Sequence, residues 1–252
     1  MRFAVLGSGS RGNATVVESA STCVMIDCGF SMKETERRLG QLDYDAKDVS
    51  AILLTHEHSD HIKGVGALSR KYGIPVWATR GTAQSHQLGH VPELNHLDTE
   101  HGFTIDGLEI SSFPVPHDAK EPCQFVFSDG DVRFAILTDT GSTTAHIEQM
   151  LSSCDAMMLE CNHDRDMLQA GYYPQSLKDR VAGPFGHLSN DQAAAFLTRV
   201  DTSKLKHIVA AHLSEKNNAP HLASDALSGA LNCEEEWISL ATQDECLPWR
   251  TV

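Results

Sequence analysis

The apolar run Ala51-Ile52-Leu53-Leu54 passes without a break into Thr55-His56-Glu57-His58-Ser59-Asp60-His61. A short apolar run of this kind predicts a buried strand. The segment directly after it concentrates three histidines and two acids in six residues. A buried strand that ends in so many ionisable groups needs a crevice at a sheet edge to receive them. Imidazole and carboxylate are the ligand types that suit zinc, manganese and iron. His56 and His58, two apart on extended chain, point to the same side. Asp60 and His61 stand where a helix begins and can turn toward a second ion. One hexapeptide therefore offers two ligands to each of two adjacent sites. It is not the zincin motif H-E-x-x-H, because its fifth position is Asp60. The plain alternative, a solvated histidine-rich loop, does not explain the buried strand directly before it.

Two ions need more donors, and three residues share the context of the hexapeptide. His117 follows Ile110-Ser111-Ser112-Phe113-Pro114-Val115-Pro116, Asp139 follows Phe134-Ala135-Ile136-Leu137-Thr138, and His212 follows Ile208-Val209-Ala210-Ala211. Side chains at strand C-termini converge in one crevice in α/β folds. Glu160-Cys161-Asn162-His163-Asp164 ends another apolar strand, and Gly186-His187-Leu188-Ser189-Asn190 precedes a helix. His163 and His187 can face such a site without being ligands. The remaining histidines, His86, His90, His96, His101, His146, His207 and His221, lie in polar surroundings and read as surface or loop residues.

Strands are expected at Arg2–Leu6, Ala14–Glu18, Thr22–Asp27, Ala51–Thr55, Val76–Thr79, Glu109–Val115, Cys123–Phe127, Val132–Thr138, Ala156–Glu160 and Ile208–His212. Helices are expected at Ser31–Leu39, His61–Tyr72, Thr143–Leu151, Asn190–Val200 and Leu222–Leu231. This alternation indicates an α/β protein with helices packed outside the sheet layers, one domain over residues 1–252.

Gly7-Ser8-Gly9-Ser10-Arg11-Gly12 follows a strand and matches the dinucleotide fingerprint G-x-G-x-x-G, with Asp27 where the ribose-binding acid would stand. The required helix is missing, since Asn13-Ala14-Thr15-Val16-Val17-Glu18-Ser19 is β-branched and alternating. A βαβ crossover needs at least a dozen or so residues of its own. A nicotinamide-dependent oxidoreductase is therefore disfavoured. The glycine loop reads either as a plain turn or as backbone amides brought close to an anion.

Composition sets the outer bounds. With 41% apolar and 21% charged residues, the 252-residue chain is of ordinary globular type. No apolar run approaches the ~20 residues of a membrane span. The apolar part of the N-terminus is too short for a signal peptide. Seven scattered cysteines without a C-x-x-C pair suggest reduced thiols in a cytoplasm. The formal charge of −14 excludes a uniform basic footprint for nucleic acid. The balance is uneven, however: residues 1–80 carry ten Lys/Arg against nine Asp/Glu, and the rest ten against twenty-five. Any polyanion must be held locally. Arg11, Lys33, Arg37, Arg38, Lys63, Lys178 and Arg180 are the candidate cations, each also explicable as a solvated surface charge.

His56-x-His58-x-Asp60-His61, His117, Asp139 and His212, in that order, resemble the metallo-β-lactamase superfamily. Gly7-Ser8-Gly9-Ser10-Arg11-Gly12-Asn13, Ile26-Asp27-Cys28-Gly29, the Glu160 and His187 segments and His212-Leu213-Ser214-Glu215-Lys216-Asn217-Asn218-Ala219-Pro220 resemble its YycJ/WalJ/VicX-type branch. The resemblance implies a four-layer αββα sandwich with two divalent metal ions, Zn2+ or Mn2+ with iron also compatible, in a cleft at one sheet edge. It implies that His56, His58 and His117 hold one ion, that Asp60, His61 and His212 hold the other, and that Asp139 bridges. It further implies phosphodiester hydrolysis by a metal-activated water, with DNA as the nucleic acid substrate and 5′→3′ exonuclease action; from the apolar runs, no membrane partner is expected. Asp60 would orient or deprotonate the water. His187 would stabilise developing charge or protonate the leaving alkoxide, and Glu160 would orient His187. Ser10, Asn13, Asn162, His163, Ser189, Asn217 and Asn218 are candidate substrate-binding residues. Cys161 stands where alanine is common in the branch. A small-molecule hydrolase acting on a cyclic phosphodiester or thioester, and a non-catalytic metal-binding signalling module, are the competing readings.

Overall fold

A computed structural model describes residues 1–252. Its strands form two sheets of seven. The first runs β14 (Leu247–Thr251), β1 (Arg2–Gly7), β2 (Ala14–Ser19), β3 (Thr22–Ile26), β4 (Ala51–Leu53), β5 (Val76–Ala78), β6 (Leu94–His96). The second runs β13 (Ile238–Leu240), β12 (His207–Ala211), β11 (Ala156–Glu160), β10 (Arg133–Leu137), β9 (Cys123–Ser128), β8 (Leu108–Pro114), β7 (Phe103–Ile105). In both sheets an antiparallel portion passes into a parallel one, β3 to β6 in the first and β10 to β13 in the second.

Period-two burial builds the layers. Along β1, Phe3 and Val5 enter the core between the sheets, and Ala4 and Leu6 enter the core under the helices. Along β11, Met158 faces between the sheets, and Met157 and Leu159 face the opposite helices. Strands buried on both faces read as continuous apolar runs rather than alternating ones. Phe3 and Phe134 stack across the sheets with centroids 4.3 Å apart. Full burial of such a side chain stabilises by roughly 1.5–3 kcal/mol. Helices α1 (Met32–Gln41), α2 (Ser59–Ile62), α3 (Val65–Tyr72) and α4 (Arg80–Ala83) belong to the first half of the chain. Helices α5 (Ala145–Leu151), α6 (Arg165–Ala170), α7 (Gln175–Val181), α8 (Asn190–Leu197) and α9 (Pro220–Leu231) belong to the second. The order helix, sheet, sheet, helix is the αββα arrangement.

The expected strands and helices are present, three short helices (α4, α6 and α7) lie outside the expected set, and two further kinds of difference stand out. The helix expected over His61–Tyr72 is two helices, because the chain turns at Gly64 against the carbonyl of Phe30, where a Cβ would lie 2.1 Å from that oxygen. Four strands, β6, β7, β13 and β14, had no sequence signal because they are short or half exposed. The glycine segment lies between antiparallel β1 and β2, with no crossover helix. All seven cysteines are unpaired, and no helix is long and apolar enough to cross a membrane.

Candidate metal centre and its cleft

The hexapeptide is held from behind by β3. Asp27 follows that strand in the left-handed region, with φ of 60°. Its Oδ1 accepts the Thr55 amide at 2.9 Å. Its Oδ2 accepts the Thr55 hydroxyl at 2.8 Å and Nδ1–H of His61 at 2.8 Å. This fixes the tautomers in turn. The hydroxyl proton of Thr55 is committed to Asp27, so the 2.9 Å contact with His56 is donated by its Nδ1–H. Nε2 of His56 is then an unprotonated lone pair, buried and without a partner. Nδ1–H of His117 donates to the carbonyl of Gly186 at 3.1 Å, and Nε2–H of His58 to the carbonyl of Asp118 at 3.3 Å. Nε2 of His117 and Nδ1 of His58 meet 3.3 Å apart, and in the tautomer with Nε2–H of His58 on the Asp118 carbonyl both present lone pairs. In that tautomer three imidazole nitrogens turn on one point and fit a cation.

A second group faces the first. Nδ1–H of His212 donates to Oε1 of Glu160 at 2.9 Å, leaving its Nε2 buried and unpartnered. That Nε2 lies 3.8 Å from Oδ2 of Asp60, and Nε2 of His61 lies 3.4 Å from the same oxygen. Asp139 stands between the groups, with Oδ1 4.0 Å from His117 and Oδ2 3.4 Å from His61. That Oδ2 is again buried and unpartnered. His56, His58 and His117, and separately Asp60, His61 and His212, bring ligand atoms within 4.8 Å of one another. The orphaned atoms and the donor chemistry fit divalent ions. Asp139 and His212 share the left-handed backbone of Asp27, with φ of 52° and 56°. Such conformations in non-glycine residues cluster at functional sites.

Glu160, fully buried at the end of β11, organises the far wall. Its Oε1 accepts from Nδ1 of both His187 and His212, at 2.8 and 2.9 Å. Its Oε2 accepts the amides of Thr140 and Leu188, each at 3.1 Å. His187 is thereby aimed with Nε2 toward the cleft, which it lines together with Asp60, Asp139 and His212. Gly186 is needed beside it, since a Cβ there would lie 2.2 Å from the carbonyl of Arg180. The cleft has a volume of about 250 Å³.

The electrostatics follow from burial and pairing. Burial, then the charges of His61, His117 and His58, hold His56 well below the ordinary histidine range. Burial would also lower His61, yet Asp139, Asp60 and Asp27 outweigh it and hold it well above. His212 is pushed up to about 10 against burial, chiefly by Asp139 with Asp60 and Glu160. Burial opposes the charge of Asp60 and of Glu160, but facing histidines hold both well below the usual carboxylate range. Burial opposes protonation of His187, and Glu160 raises it.

The seven candidate substrate-binding residues divide. Ser10, Asn162 and Asn217 line the cleft. Asn13 does not offer its amide outward: the side chain bonds Ser8, Gly9, Asp60 and His61, and the backbone amide donates to the Asp60 carbonyl at 2.8 Å. Ser189 closes the capping box of α8 with Gln192. Asn218 bonds Asn190 and the carbonyl of Cys161. These three are internal fasteners rather than rim donors. His163, pushed down to about 4 by burial, lines a separate cavity on the far side of α7. Of the candidate cations, Arg180 lines the cleft but is paired there with Asp118, Arg11 is paired with Glu215 and Asp244, and Arg37 and Arg38 are paired with Glu34. Asp27 is not among the candidate site residues of the sequence, yet it orients Thr55 and His61. The signal was Ile26-Asp27-Cys28-Gly29, whose glycine packs on the Asp60 carbonyl.

Two sheets between helices, with a histidine–carboxylate centre at their common edge, define a hydrolase of the metallo-β-lactamase fold. The pattern for the Beta-lactamase superfamily domain matches residues 22–212, and the chain belongs to that superfamily, in its YycJ/WalJ-type branch. It is 40% identical over 235 residues to exodeoxyribonuclease YycJ of Bacillus anthracis, covering 92% of this chain and 89% of that one. It is 37% identical over 228 residues to exodeoxyribonuclease WalJ of Streptococcus pneumoniae serotype 2, covering 88% and 85%. Among solved structures it resembles the metallo-β-lactamase fold protein YhfI of Bacillus subtilis, with a TM-score of 0.74 at 15% identity over 97% of this chain and 98% of that one.

Proposed function

We propose that the protein is a metal-dependent exodeoxyribonuclease that hydrolyses phosphodiester bonds from the 5′ end of a DNA strand. The observation that carries the reading is Glu160 holding His187 and His212 on one carboxylate oxygen, which puts a proton-bearing imidazole beside the metal donors. The names of the two relatives support a DNA substrate. His56, His58 and His117 would hold one divalent ion, Asp60, His61 and His212 a second, with Asp139 between them. Zn2+ and Mn2+ both suit these donors, as does iron. When bound, two such ions supply Lewis acidity, offsetting phosphate charge and acidifying a water.

The chain's own residues supply the rest. Oδ2 of Asp60, held 3.3 Å from the amide of Asn13, accepts the proton of the attacking water or orients it. His187 keeps Nδ1–H on Glu160 and presents Nε2 to the leaving oxygen, where it donates a proton or opposes the developing charge. Glu160 is a positioning residue that acts through the two histidines. One domain over residues 1–252 is supported by the pairing of β14 with β1, which ties the chain ends together. The test is digestion of 5′- and 3′-labelled DNA and RNA by the metal-reconstituted protein, with His187→Ala as control. Loss of 5′-terminal nucleotides from DNA, abolished in the variant, is expected. Thioester turnover without phosphodiester hydrolysis would overturn the reading.

A further inference from the structure

Between β11 and the His187 loop the chain makes an arm, residues 165–186, that carries α6 and α7 past the cleft. Both ends are tied down: the Asp164 amide donates to the Asn217 carbonyl at 2.8 Å, and the Asp118 amide to the Phe185 carbonyl at 3.0 Å. The part between is poorly covered, and α7 buries none of its residues. The two most exposed large apolar side chains of the molecule both lie here, Tyr172 at 105% and Phe185 at 59%, against 38% for Trp237 and 37% for Leu94. A third aromatic, Tyr173, lines the cleft itself, with the Lys216 ammonium 5.9 Å from its ring centroid. Two of the chain's four tyrosines are thus adjacent at this one place. The arm carries three cations, Arg165, Lys178 and Arg180, of which Arg180 pairs with Asp118 and Arg165 with Asp191, so the platform relies on its aromatic rings rather than on net charge. Isolated exposed apolar groups are ordinary, but Tyr172 and Phe185 each stand one residue from a cleft-lining residue, Tyr173 and Gly186, and exposed apolar groups flanking a reaction cleft mark a binding surface.

We infer that this arm is a nucleobase-stacking platform that receives the unpaired terminal nucleotides of a DNA strand, with Tyr173 inside the cleft and Tyr172 and Phe185 on its rim. The inference rests on the phosphodiesterase reading above and adds the form of substrate. Tyr173 is the one phenylalanine, tyrosine or tryptophan ring among the residues lining the cleft, so an unpaired base beside the phosphate meets it, and stacking there compensates for the lost pairing. Stacking uses the π-face that every base has, so it reads no sequence, as an exonuclease requires. It also needs no net positive charge, which this chain at −14 cannot supply.

The test compares labelled DNA strands that carry either a base or an abasic residue at the two terminal positions, using the metal-loaded full chain. The wild-type protein is expected to show a KM about tenfold lower for the base-bearing strand. Tyr172→Ala and Phe185→Ala are expected to erase most of that preference, and Tyr172→Phe to keep it. A terminal 2-aminopurine should lose fluorescence on binding the wild-type protein and less on binding Tyr172→Ala. Equal KM for base-bearing and abasic strands, or a preference that survives both alanine variants, overturns the platform while leaving the phosphodiesterase reading intact. Failure of the wild-type protein to hydrolyse either strand or bis-p-nitrophenyl phosphate overturns both.

Discussion

Two buried carboxylates, one in each half of the chain, serve the same centre and are set up differently. Asp27 and Glu160 are 3% and 0% exposed, and each takes Nδ1–H from a histidine that turns Nε2 toward the metal donors. Burial nevertheless raises the pKa of Asp27, whereas that of Glu160 is held well below the carboxylate range. The difference lies in the donors. Asp27 has one histidine and the amide and hydroxyl of Thr55, and Glu160 has two histidines and two amides. Depth alone does not set ionisation; the number and charge of the donors aimed at the oxygens does.

The largest expected effect is at Glu160. In Glu160→Gln the amide nitrogen replaces an oxygen that accepts either two imidazoles or two backbone amides, so one pair always meets N–H against N–H. Turnover of labelled DNA is expected to fall about 1,000-fold, since both an ion ligand and the proton-bearing histidine lose their support. Asp27→Asn disturbs only His61 and Thr55. It is expected to weaken zinc binding by about 10–100-fold in competition with a chelator. An equal loss of DNA turnover in the two variants would break the comparison.

Metal loading sharpens it further. Without an ion, His61 is held well above its ordinary pKa and His212 is pushed up to about 10, so both carry protons at pH 7. A ligand nitrogen must give up its proton to bind, so loading should release about two protons, one from each half. Affinity should therefore fall as pH is lowered. Calorimetric titration with zinc in buffers of different ionisation enthalpy measures the release, and the absence of any release would refute it.

A smaller effect on stability is expected at Gly29, which packs on the backbone of Asp60. A Cβ at Gly29 would lie 1.6 Å from the Asp60 carbonyl oxygen. Gly29→Ala should cost about 1–3 kcal/mol in denaturant unfolding. The smallest concerns Glu34, a control with two cationic donors but little cover. Hydrogen bonds from Arg37, and against burial from Arg38, hold it down to about 2. A depressed carboxylate pKa contributes stability that is present above the ordinary value and lost as pH falls through about 2. At a partly exposed site Glu34→Gln should cost less than about 1 kcal/mol at pH 7, and the difference should vanish in acid unfolding.

Much of the centre was legible because its donors are marked locally. His56, His58, Asp60 and His61 share one segment, and His117, Asp139 and His212 each follow an apolar run, so residue type and strand end together point to them. The supporting contacts were not legible. Asn13 carries the right chemistry for a rim donor, and only the approach of the Asp60 carbonyl shows that its amide faces inward. Asp27 sits where a dinucleotide fold would place its acid, and only the pairing of β3 beside β4 brings it to Thr55 and His61.

The amino-acid sequence by itself determined the strand cores, through continuous apolar runs, and the identity of the metal donors, through short-range pattern. Tertiary structure alone decided which nitrogen of each histidine is free, because a tautomer is set by whatever meets the opposite side of the ring. It also decided that one glutamate serves two histidines and that an arm with exposed tyrosines lies beside the cleft. Such contacts join residues far apart in the chain, such as Glu160 and His212, and no local pattern encodes their approach.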